Sequence, residues 1–526
     1  MINIKKIVIV GGGSSGWITA STIIKFYPNI DLTLIESKNV PIIGVGESTQ
    51  ASITSWMNML GIDHKEMMKG ADGSYKLGIK FNDFYEKNDG GFFYPFGKGL
   101  FENYESEVDP VTLWNFKKNI YSNVKKTDYC DSFFSQMSSI YTNKIPDQSL
   151  PGFNIKKDVA FHFDAIKFAE YLKKTICIPL GINHIVDDIV NINTNENGIE
   201  SLNLESGKTI TADLFIDCTG FKAMLIGEAL NEPYESFEDV LPVNRAWAVQ
   251  ITYKDKKTEM LNYTDSTALS SGWVWAAPLW SRIGTGYVYS DKFISPEDAL
   301  DEFKQYLKKV RGEDRNIDNL SFKDIEFKSG MRKRCWVKNV VAIGLSAGFI
   351  EPLESNGLHT TYELALKLIK VINRGFVNQW DKDSFNYISK HTIIGFKEFV
   401  QAHYFLSKRD DTAFWRHMTS LSPGGDIFDA RIDQTSLKSL IFDKTSPFGS
   451  FSHAANSGWH CIAAGMEYSS IGKDSISLYS IHLENDIENI VNNFISNNSK
   501  DKIEWKYNTE KYLNHVDYLE KHIYNV

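Results

Sequence analysis

An apolar run that leads into a glycine turn constrains this chain more than any other feature. Residues 5–17 read KKIVIVGGGSSGW, and apolar side chains recur at near-helical spacing directly after them. Gly11 permits a tight turn, Gly13 lets the backbone approach a pyrophosphate, and Gly16 lets a helix pack on the strand. The anion would lie at the N-terminus of that helix. The pattern predicts a strand, a turn and a helix that bind a dinucleotide.

A second apolar run supports this interpretation. Residues 32–35 read LTLI and precede Glu36, where an acidic side chain accepts hydrogen bonds from ribose hydroxyls. Ser14 and Ser15 lie in the same glycine turn, and we include them in the predicted cofactor site. The alternative is a glycine turn in an unrelated α/β domain.

Composition narrows the class of protein. The chain has 526 residues, a net charge of −9 and no basic block, which argues against nucleic acid or a membrane as partner. Its apolar runs are too short for a membrane span or a signal peptide, so we expect a cytoplasmic protein. Its five cysteines are widely spaced and odd in number, which indicates neither a disulfide framework nor a zinc site. These features favour a large globular enzyme.

A second glycine-rich segment follows the predicted dinucleotide-binding strands and helix. Gly44 and Gly46 suggest backbone that lies close to a ligand or to another strand. We assign Gly46 and Glu47 to the cofactor site and expect residues 47–49 to begin a helix. An ordinary loop is the alternative.

The segment 74–81, SYKLGIKF, alternates strictly between apolar and other side chains. This alternation predicts a strand whose second face carries Lys76 and Lys80, and the pattern alone places both lysines in solvent. Residues 82–155 are rich in aromatic side chains, glycine and asparagine, and they predict an irregular insertion that covers a pocket. Tyr94 and Phe96 lie in its densest aromatic cluster.

The remaining chain predicts the outline of the fold. Short alternating runs between 182 and 220 predict a β-meander, as in flavoproteins built like glutathione reductase. A strand over 340–345 leads towards a helix, and we add Gly344 to the cofactor site because backbone amides at such junctions hold anions. We predict an α/β (α+β) fold, with a glutathione-reductase-like FAD-binding module over 1–400 and a mainly helical C-terminal subdomain over 401–526 packed on it.

Two further segments are distinctive. Residues 272–278 read GWVWAAP, with both tryptophans on one face of a strand that Pro278 ends, and residues 351–357 read EPLESNG. Together with residues 11–17 and 75–81, they resemble the flavin-dependent halogenases of the tryptophan-halogenase type. GWxWxxP is the most specific of these marks, because ordinary flavin monooxygenases lack it. The resemblance covers roughly the first 420 residues.

The resemblance implies an enzyme that binds FAD. FADH2 from a separate flavin reductase, O2 and a halide ion would yield hypohalous acid. The family's catalytic lysine corresponds to Lys76, which would form a haloamine or steer the acid through a hydrogen bond, whereas Lys80 keeps its surface interpretation. The catalytic glutamate corresponds to Glu354, as electrostatic partner of the lysine or as base for the ring proton. Halide would lie against the backbone amides of Asn356 and Gly357.

The resemblance also implies a tunnel through which the acid reaches an aromatic substrate. The tryptophans of GWVWAAP would keep the substrate away from the flavin and block direct oxygenation. The residues that the resemblance places along the tunnel and around the substrate are Tyr94, Phe96, Trp273, Trp275, Pro352 and Ser355.

The chain departs from the family where halide and substrate bind. Ala277 replaces a common isoleucine and Asn356 a common threonine, which leads to the hypothesis that bromide or iodide is preferred over chloride. Tyr94 replaces a histidine of the tryptophan-specific members. Residues 448–459 correspond loosely to a segment that offers a carboxylate to the amino acid, yet they contain no Asp or Glu. Because a buried ammonium group would then lack a partner, we expect an indole, phenol or heteroarene rather than free tryptophan.

Several alternatives stay open. Free tryptophan as substrate is the nearest, and a flavin monooxygenase that inserts oxygen belongs to another class of enzyme. A flavin-binding protein without turnover is disfavoured, because Lys76 and Glu354 are both present. No metalloprotease motif of the form HExxH occurs in the sequence. A carrier-bound substrate and a homo-oligomer also stay open.

Overall fold

The computed structural model describes residues 2–39, 47–97, 99–100, 110–421, 453–468 and 487–526. The strands are β1 (Ile2–Asn3), β2 (Lys6–Val10), β3 (Asp31–Glu36), β4 (Glu47–Ser48), β5 (Ser74–Lys76), β6 (Gly78–Asn82), β7 (Phe92–Pro95), β8 (Ala160–Phe163), β9 (Asn183–Val186), β10 (Ile189–Asn195), β11 (Gly198–Leu204), β12 (Thr209–Ile210), β13 (Leu214–Asp217), β14 (Tyr234–Ser236), β15 (Arg245–Ile251), β16 (Thr264–Ala268), β17 (Gly272–Pro278), β18 (Ile283–Tyr289), β19 (Lys323–Glu326), β20 (Gly330–Arg332), β21 (Trp336–Val337), β22 (Val340–Ala342), β23 (Gly348–Phe349) and β24 (Phe376–Val377).

Helices connect these strands and follow them. The α-helices are α1 (Ser14–Phe26), α2 (Ser52–Leu60), α3 (His64–Ala71), α4 (Pro110–Ile120), α5 (Asp128–Phe133), α6 (Met137–Tyr141), α7 (Ala165–Leu172), α8 (Lys256–Glu259), α9 (Pro296–Arg311), α10 (Asn356–Ile372), α11 (Gln379–Phe405), α12 (Ala413–Ser420), α13 (His453–Gly465), α14 (Ile487–Glu510) and α15 (His515–Leu519). Short 3₁₀ or π turns occupy Lys173–Cys177, Gly220–Lys222, Met224–Ala229, Glu313–Arg315, Ile317–Asn319, Gly344–Ser346, Pro352–Glu354 and Glu520–Tyr524.

The chain divides into two compact units, each made of separate stretches. The first comprises Met1–Gly73, His162–Ile251 and Leu279–Lys397, and the second comprises Ser74–Phe161, Thr252–Pro278 and Glu398–Val526. The glycine turn and the EPLESNG segment therefore belong to the first unit. Lys76 and the GWVWAAP segment belong to the second. The predicted boundary at residue 400 stays a prediction.

A mainly parallel sheet forms the centre of the first unit. Its strand order is β21-β22-β13-β2-β3-β9, and all neighbours are parallel except β21 and β22. Within it, Ile9 lies opposite Leu34 of β3 and Ile216 of β13. The apolar residues of β2 are fully buried, as expected for a parallel strand covered on both faces. The predicted strand, turn and helix are confirmed as β2, the glycine turn and α1.

Antiparallel strands complete the first unit. β10, β11 and β12 form the predicted meander, and β15 pairs with β18 and β19. α1 packs against α7 and α10. The predicted mixed α/β fold is thereby confirmed.

The second unit combines β-strands with helices. β6 runs parallel to β16, whereas β16 and β17, and also β6 and β7, are antiparallel. α13 packs against β7 and α5, and α14 packs against α4 and α6. Beyond residue 401, the described residues form the end of α11 and helices α12 to α15, which confirms the predicted helical character. Among the helices described, none combines the length and apolar character that crossing a bilayer requires.

Three local expectations are wrong. Residues 47–48 form strand β4, paired with β8 through Glu47 and Phe163, and the helix predicted there begins at Ser52 instead. The strand predicted over 74–81 is interrupted at Leu77, so that β5 and β6 are separate. Lys76 is 0% exposed rather than solvated, because tertiary packing covers both faces of β5.

Candidate active site

The glycine turn has the geometry that a dinucleotide needs. A Cβ at Gly11, where φ is +115°, would lie 2.3 Å from the carbonyl oxygen of Cys218, and a Cβ at Gly16 would lie 1.9 Å from that of Gly11. Both glycines are therefore required by close backbone packing. A Cβ at Gly13 would meet nothing within 4 Å. The turn thus fits a pyrophosphate that approaches the backbone at Gly13 and the first N–H groups of α1.

The acidic side chain at the end of β3 lies over this turn. A Cβ at Gly12 would lie 2.1 Å from Glu36 Oε2. Glu36 Oε1 contacts His184 Nε2 at 2.8 Å and accepts a hydrogen bond from Lys173 Nζ at 3.2 Å. His184 also packs edge-on against the Trp17 ring at 5.2 Å. The sequence pattern predicted Glu36 but not His184 or Lys173. Both are distant from Glu36 along the chain, and no local pattern links them to it.

The other predicted cofactor residues of the first unit gather at the start of α1. A Cβ at Gly344, where φ is +77°, would lie 2.2 Å from Ser15 Oγ, so the strand end after β22 reaches the first turn of α1. Ser15 Oγ lies 3.5 Å from Thr361 Oγ1 of α10, and Ser14 Oγ donates to Ala165 O at 3.3 Å. Gly11, Gly13, Ser14, Ser15, Gly16, Glu36 and Gly344 therefore surround one turn.

Asp217 organises the turn after β13. Its Oδ1 accepts from the backbone N–H of Thr219 at 3.0 Å, and its Oδ2 accepts from Leu225 N at 2.8 Å and Ile226 N at 2.9 Å. The carboxylate thus stabilises the turn that follows the meander, beside the carbonyl on which Gly11 packs.

Glu47 lies in β4 of the first unit. Burial, followed by the charge of Asp164, raises the pKa of Glu47 to about 7. Its neighbour in the prediction, Gly46, lies outside the described residues.

A strained turn carries Glu354. Glu354 is 0% exposed, and Gln50 Nε2 donates to its backbone oxygen at 2.8 Å. Ser355 follows with a left-handed φ of +56°, and its hydroxyl donates to Ser48 Oγ at 3.1 Å. A serine in this region is uncommon and is held by its surroundings. Ser48 and Gln50, missed from the sequence, therefore fix the backbone around Glu354.

The predicted halide residues begin α10. Asn356 is buried, and its Oδ1 has no hydrogen-bond partner among the described residues. A Cβ at Gly357 would meet nothing within 4 Å. The first N–H groups of a helix lack partners within the helix, so the turn at Gly357 fits a small anion. Pro352, assigned to the tunnel, is exposed at the start of the preceding 3₁₀ turn.

Lys76 lies in the second unit, within an aromatic cluster. Its Nζ is 4.9 Å from the centroid of the Phe96 ring, a distance typical of a cation–π contact. Tyr94 packs edge-on against Phe96 at 5.4 Å and against Phe399 at 6.2 Å, and Phe399 contacts Trp459 at 5.1 Å. We call Tyr94, Phe96, Phe399 and Trp459 the aromatic cluster. Lys80 is half-buried, with its Nζ 5.8 Å from the Phe93 ring.

Glycines bring α13 against this cluster. A Cβ at Gly458 would lie 2.9 Å from the Tyr94 ring, and a Cβ at Gly465 would lie 2.2 Å from the Phe92 ring. Residues 448–452, part of the segment that lacks carboxylates, lie outside the described residues. Glu398 is buried beside Phe399 in sequence and was missed, because it lies in an otherwise ordinary helical pattern.

The two tryptophans of β17 behave as predicted from their spacing. Trp273 is buried and Trp275 is half-buried, with their ring centroids 6.2 Å apart. β17 ends at Pro278, whose carbonyl accepts a hydrogen bond from Ser74 Oγ of β5. The predicted substrate residues Tyr94, Phe96, Trp273 and Trp275 thus all belong to the second unit, whereas Pro352 and Ser355 belong to the first.

The chain is similar to known proteins in both sequence and fold. The family model described as tryptophan halogenase matches residues 6–476. Tryptophan 7-halogenase RebH of Lentzea aerocolonigenes is 31% identical over 488 residues, which cover 88% of this chain and 89% of RebH. The apo structure of VirX1 is 34% identical with a TM-score of 0.87, over 99% of this chain and 100% of VirX1. The crystal structure of tryptophan 6-halogenase SttH from Streptomyces toxytricini is 28% identical with a TM-score of 0.83, over 98% of this chain and 99% of SttH.

Proposed function

The chain belongs to the tryptophan-halogenase family of flavin-dependent halogenases, and we propose that it halogenates an electron-rich aromatic compound other than free tryptophan. Enzymes of this family use FADH2, which a separate flavin reductase supplies, and a halide ion. We assign the catalytic roles to Lys76 and Glu354. With O2 and halide, bound FADH2 would supply hypohalous acid.

The burial of Lys76 carries the proposal. A lysine that is 0% exposed is rare in a folded protein, because removing an ammonium group from water is costly. A buried ionisable side chain of this kind is a candidate for a chemical task. Lys76 would donate a hydrogen bond to the oxygen of hypohalous acid, or its neutral amine would take up the halogen as a haloamine with release of water. Either route brings an electrophilic halogen to the aromatic cluster.

The carboxylate of Glu354 would stabilise the positive charge of the halogenated ring. Its side chain is buried, and both Gln50 and Ser48 hold the backbone of its turn. A carboxylate fixed in a region of low dielectric interacts strongly with a developing cation. It would also accept the ring proton when the arene regains aromaticity.

The composition of the second unit supports a neutral aromatic substrate. The aromatic cluster offers ring faces and edges, which pack well against a flat ligand. Residues 448–459 contain no Asp or Glu that could pair with an ammonium group. We propose an indole, phenol or heteroarene on this ground, with Trp273 and Trp275 as barriers between substrate and flavin.

Free tryptophan is the second candidate. RebH and SttH are named tryptophan halogenases, and Glu398 provides a buried carboxylate next to Phe399 of the aromatic cluster. If Glu398 binds the ammonium group of an amino acid, Glu398→Gln would raise the KM for tryptophan and leave that for indole unchanged. Equal effects on both substrates would speak against tryptophan.

Product analysis by mass spectrometry tests the proposal. The purified protein is incubated with FAD, NADH, a flavin reductase and a panel that contains tryptophan, indoles and phenols, with chloride, bromide and iodide supplied separately. Lys76→Ala should lower the halogenation rate by about 10²–10⁴-fold, the range for loss of a positioned acid–base group. Lys80→Ala is the matched control, since Lys80 lies on the same short segment but is half-buried, and it should keep normal activity.

The outcomes separate the alternatives. Halogenated indole or phenol that disappears in Lys76→Ala supports the proposal, whereas preference for tryptophan selects the second candidate. An oxygenated product without halogen would select a flavin monooxygenase. Undiminished halogenation by Lys76→Ala would reject the catalytic role of Lys76. A flavin reductase as partner and a cytoplasmic location belong to the same proposal.

A further inference from the structure

The backbone around Lys76 is held from several distant parts of the second unit. Before Lys76, the Ser74 hydroxyl is tied to Pro278 O. After it, Leu77 N–H donates to Asn262 O at 2.7 Å. The short strand β5 therefore depends on partners outside its own sequence neighbourhood.

The residue directly before Lys76 is held by a histidine. The backbone N–H of Tyr75 donates to His515 Nε2 of α15 at 3.1 Å. Since Nε2 accepts, the proton of the neutral imidazole is assigned to Nδ1, which lies 3.3 Å from Met260 O. His515 is fully buried, and burial lowers its pKa to about 3. The imidazole is therefore neutral at physiological pH and presents its acceptor in one orientation.

His515 is itself fixed by the loop that holds the other side of Lys76. Its backbone N–H donates to Asn143 O at 2.8 Å. The Asn143 side chain donates to Met260 O at 3.0 Å and accepts from Asn262 N at 2.9 Å. Asn143 thus links His515 to Asn262. His515 binds the backbone just before Lys76, and Asn262 binds the backbone just after it.

We propose that His515 is a positioning residue for halogenation, which accepts the Tyr75 N–H and thereby fixes the direction in which β5 presents Lys76. This inference rests on the proposed role of Lys76. A buried backbone N–H needs a partner, so loss of the imidazole acceptor would let β5 shift. His515 lies beyond the residues 6–476 that the family model matches.

Two variants of His515 and one control test the proposal. His515→Phe keeps a ring but removes the acceptor, whereas His515→Gln keeps an acceptor oxygen close to the position of Nε2. Tyr518→Phe is the control, because the Tyr518 ring packs on Tyr75 at 5.9 Å and only its hydroxyl is lost. Each variant is assayed for halogenated aromatic product and, separately, for halogenation of a diffusible 1,3-diketone trap, both per FADH2 oxidised.

Loss of positioning should separate the two readouts. Because a displacement of about 1 Å in an active site costs on the order of 10²-fold in rate, His515→Phe should lower aromatic halogenation by about 10–100-fold. Trap halogenation should stay at the wild-type level or rise, since hypohalous acid still forms. His515→Gln should recover most of the aromatic product, and Tyr518→Phe should match the wild type in both readouts.

Three results would overturn the proposal. The first is unchanged aromatic halogenation by His515→Phe. The second is an equal loss of aromatic halogenation in His515→Phe and His515→Gln. The third is a parallel fall of aromatic product and halogenated trap, which would indicate a general loss of structure. Lys76→Ala in the same assay separates this inference from the proposed function. Full activity of Lys76→Ala would reject the proposed role of the lysine. Loss of activity in Lys76→Ala together with an active His515→Phe would reject the role of His515 alone.

Discussion

Substituting alanine at two glycines three residues apart should separate cofactor binding from folding. At Gly13, φ is −76° and ψ is −175°, which alanine adopts readily, and the added Cβ would meet nothing within 4 Å. The loss of chain entropy in the unfolded state favours Gly13→Ala by about 0.4–1 kcal/mol. The poorer helix N-cap costs a similar amount, about 0.5–1 kcal/mol. The free energy of unfolding should therefore change by less than about 1 kcal/mol.

The affinity of the same variant for FAD should fall. The new methyl group would occupy the open space through which the pyrophosphate approaches the backbone at Gly13. One hydrogen bond to a charged group contributes about 1.5–3 kcal/mol. Since 1.4 kcal/mol corresponds to tenfold, the Kd for FAD should rise about 10–150-fold.

Gly16→Ala is the matched substitution with the opposite expectation. Its Cβ would lie 1.9 Å from the carbonyl oxygen of Gly11, a backbone atom that cannot swing aside. We expect a loss of about 3 kcal/mol or more in the free energy of unfolding. Urea denaturation of the apoprotein followed by circular dichroism measures stability, and quenching of flavin fluorescence measures affinity. A stable Gly13→Ala that binds FAD within twofold of the wild type, or a Gly16→Ala of normal stability, would refute the reasoning.

Two further substitutions in the first unit test Glu47 and Ser355. The raised pKa of Glu47, about 7 against an ordinary 4.5, stabilises the fold fully below pH 4.5, and this contribution is lost as pH rises through 7. Relative to the wild type, apo Glu47→Gln should therefore gain up to about 3 kcal/mol between pH 4.5 and pH 8 in urea denaturation; a difference independent of pH would contradict the shift. At Ser355, where φ is +56°, glycine should exceed alanine in the free energy of unfolding by about 1 kcal/mol, and equal values would argue against a left-handed backbone.

The nucleotide turn could be predicted because its constraints are local. Gly11 and Gly16 are dictated by backbone approach within one strand, turn and helix, and Glu36 follows at the end of the adjacent strand. Such spacing is visible in the sequence alone. The partners of Glu36 were not predicted, because Lys173 and His184 arrive from a later helix and strand.

Lys76 shows the opposite case. An alternating segment reveals which side chains share a face, but not whether a further layer covers that face. The pattern therefore placed Lys76 in solvent, and the family resemblance alone singled it out. Its burial depends on the aromatic cluster and on strands and helices that are distant along the chain, which period-two alternation does not encode.

The hydrogen bond between Tyr75 and His515 also has a consequence for biosynthesis. The two residues are 440 positions apart. At a synthesis rate of about 5–20 residues per second, His515 is made roughly 20–90 s after Tyr75. The nascent chain therefore passes through a period in which the nucleotide turn has been synthesised but the final support of Lys76 has not. The surroundings of the lysine can therefore be completed only after residue 515 has been synthesised.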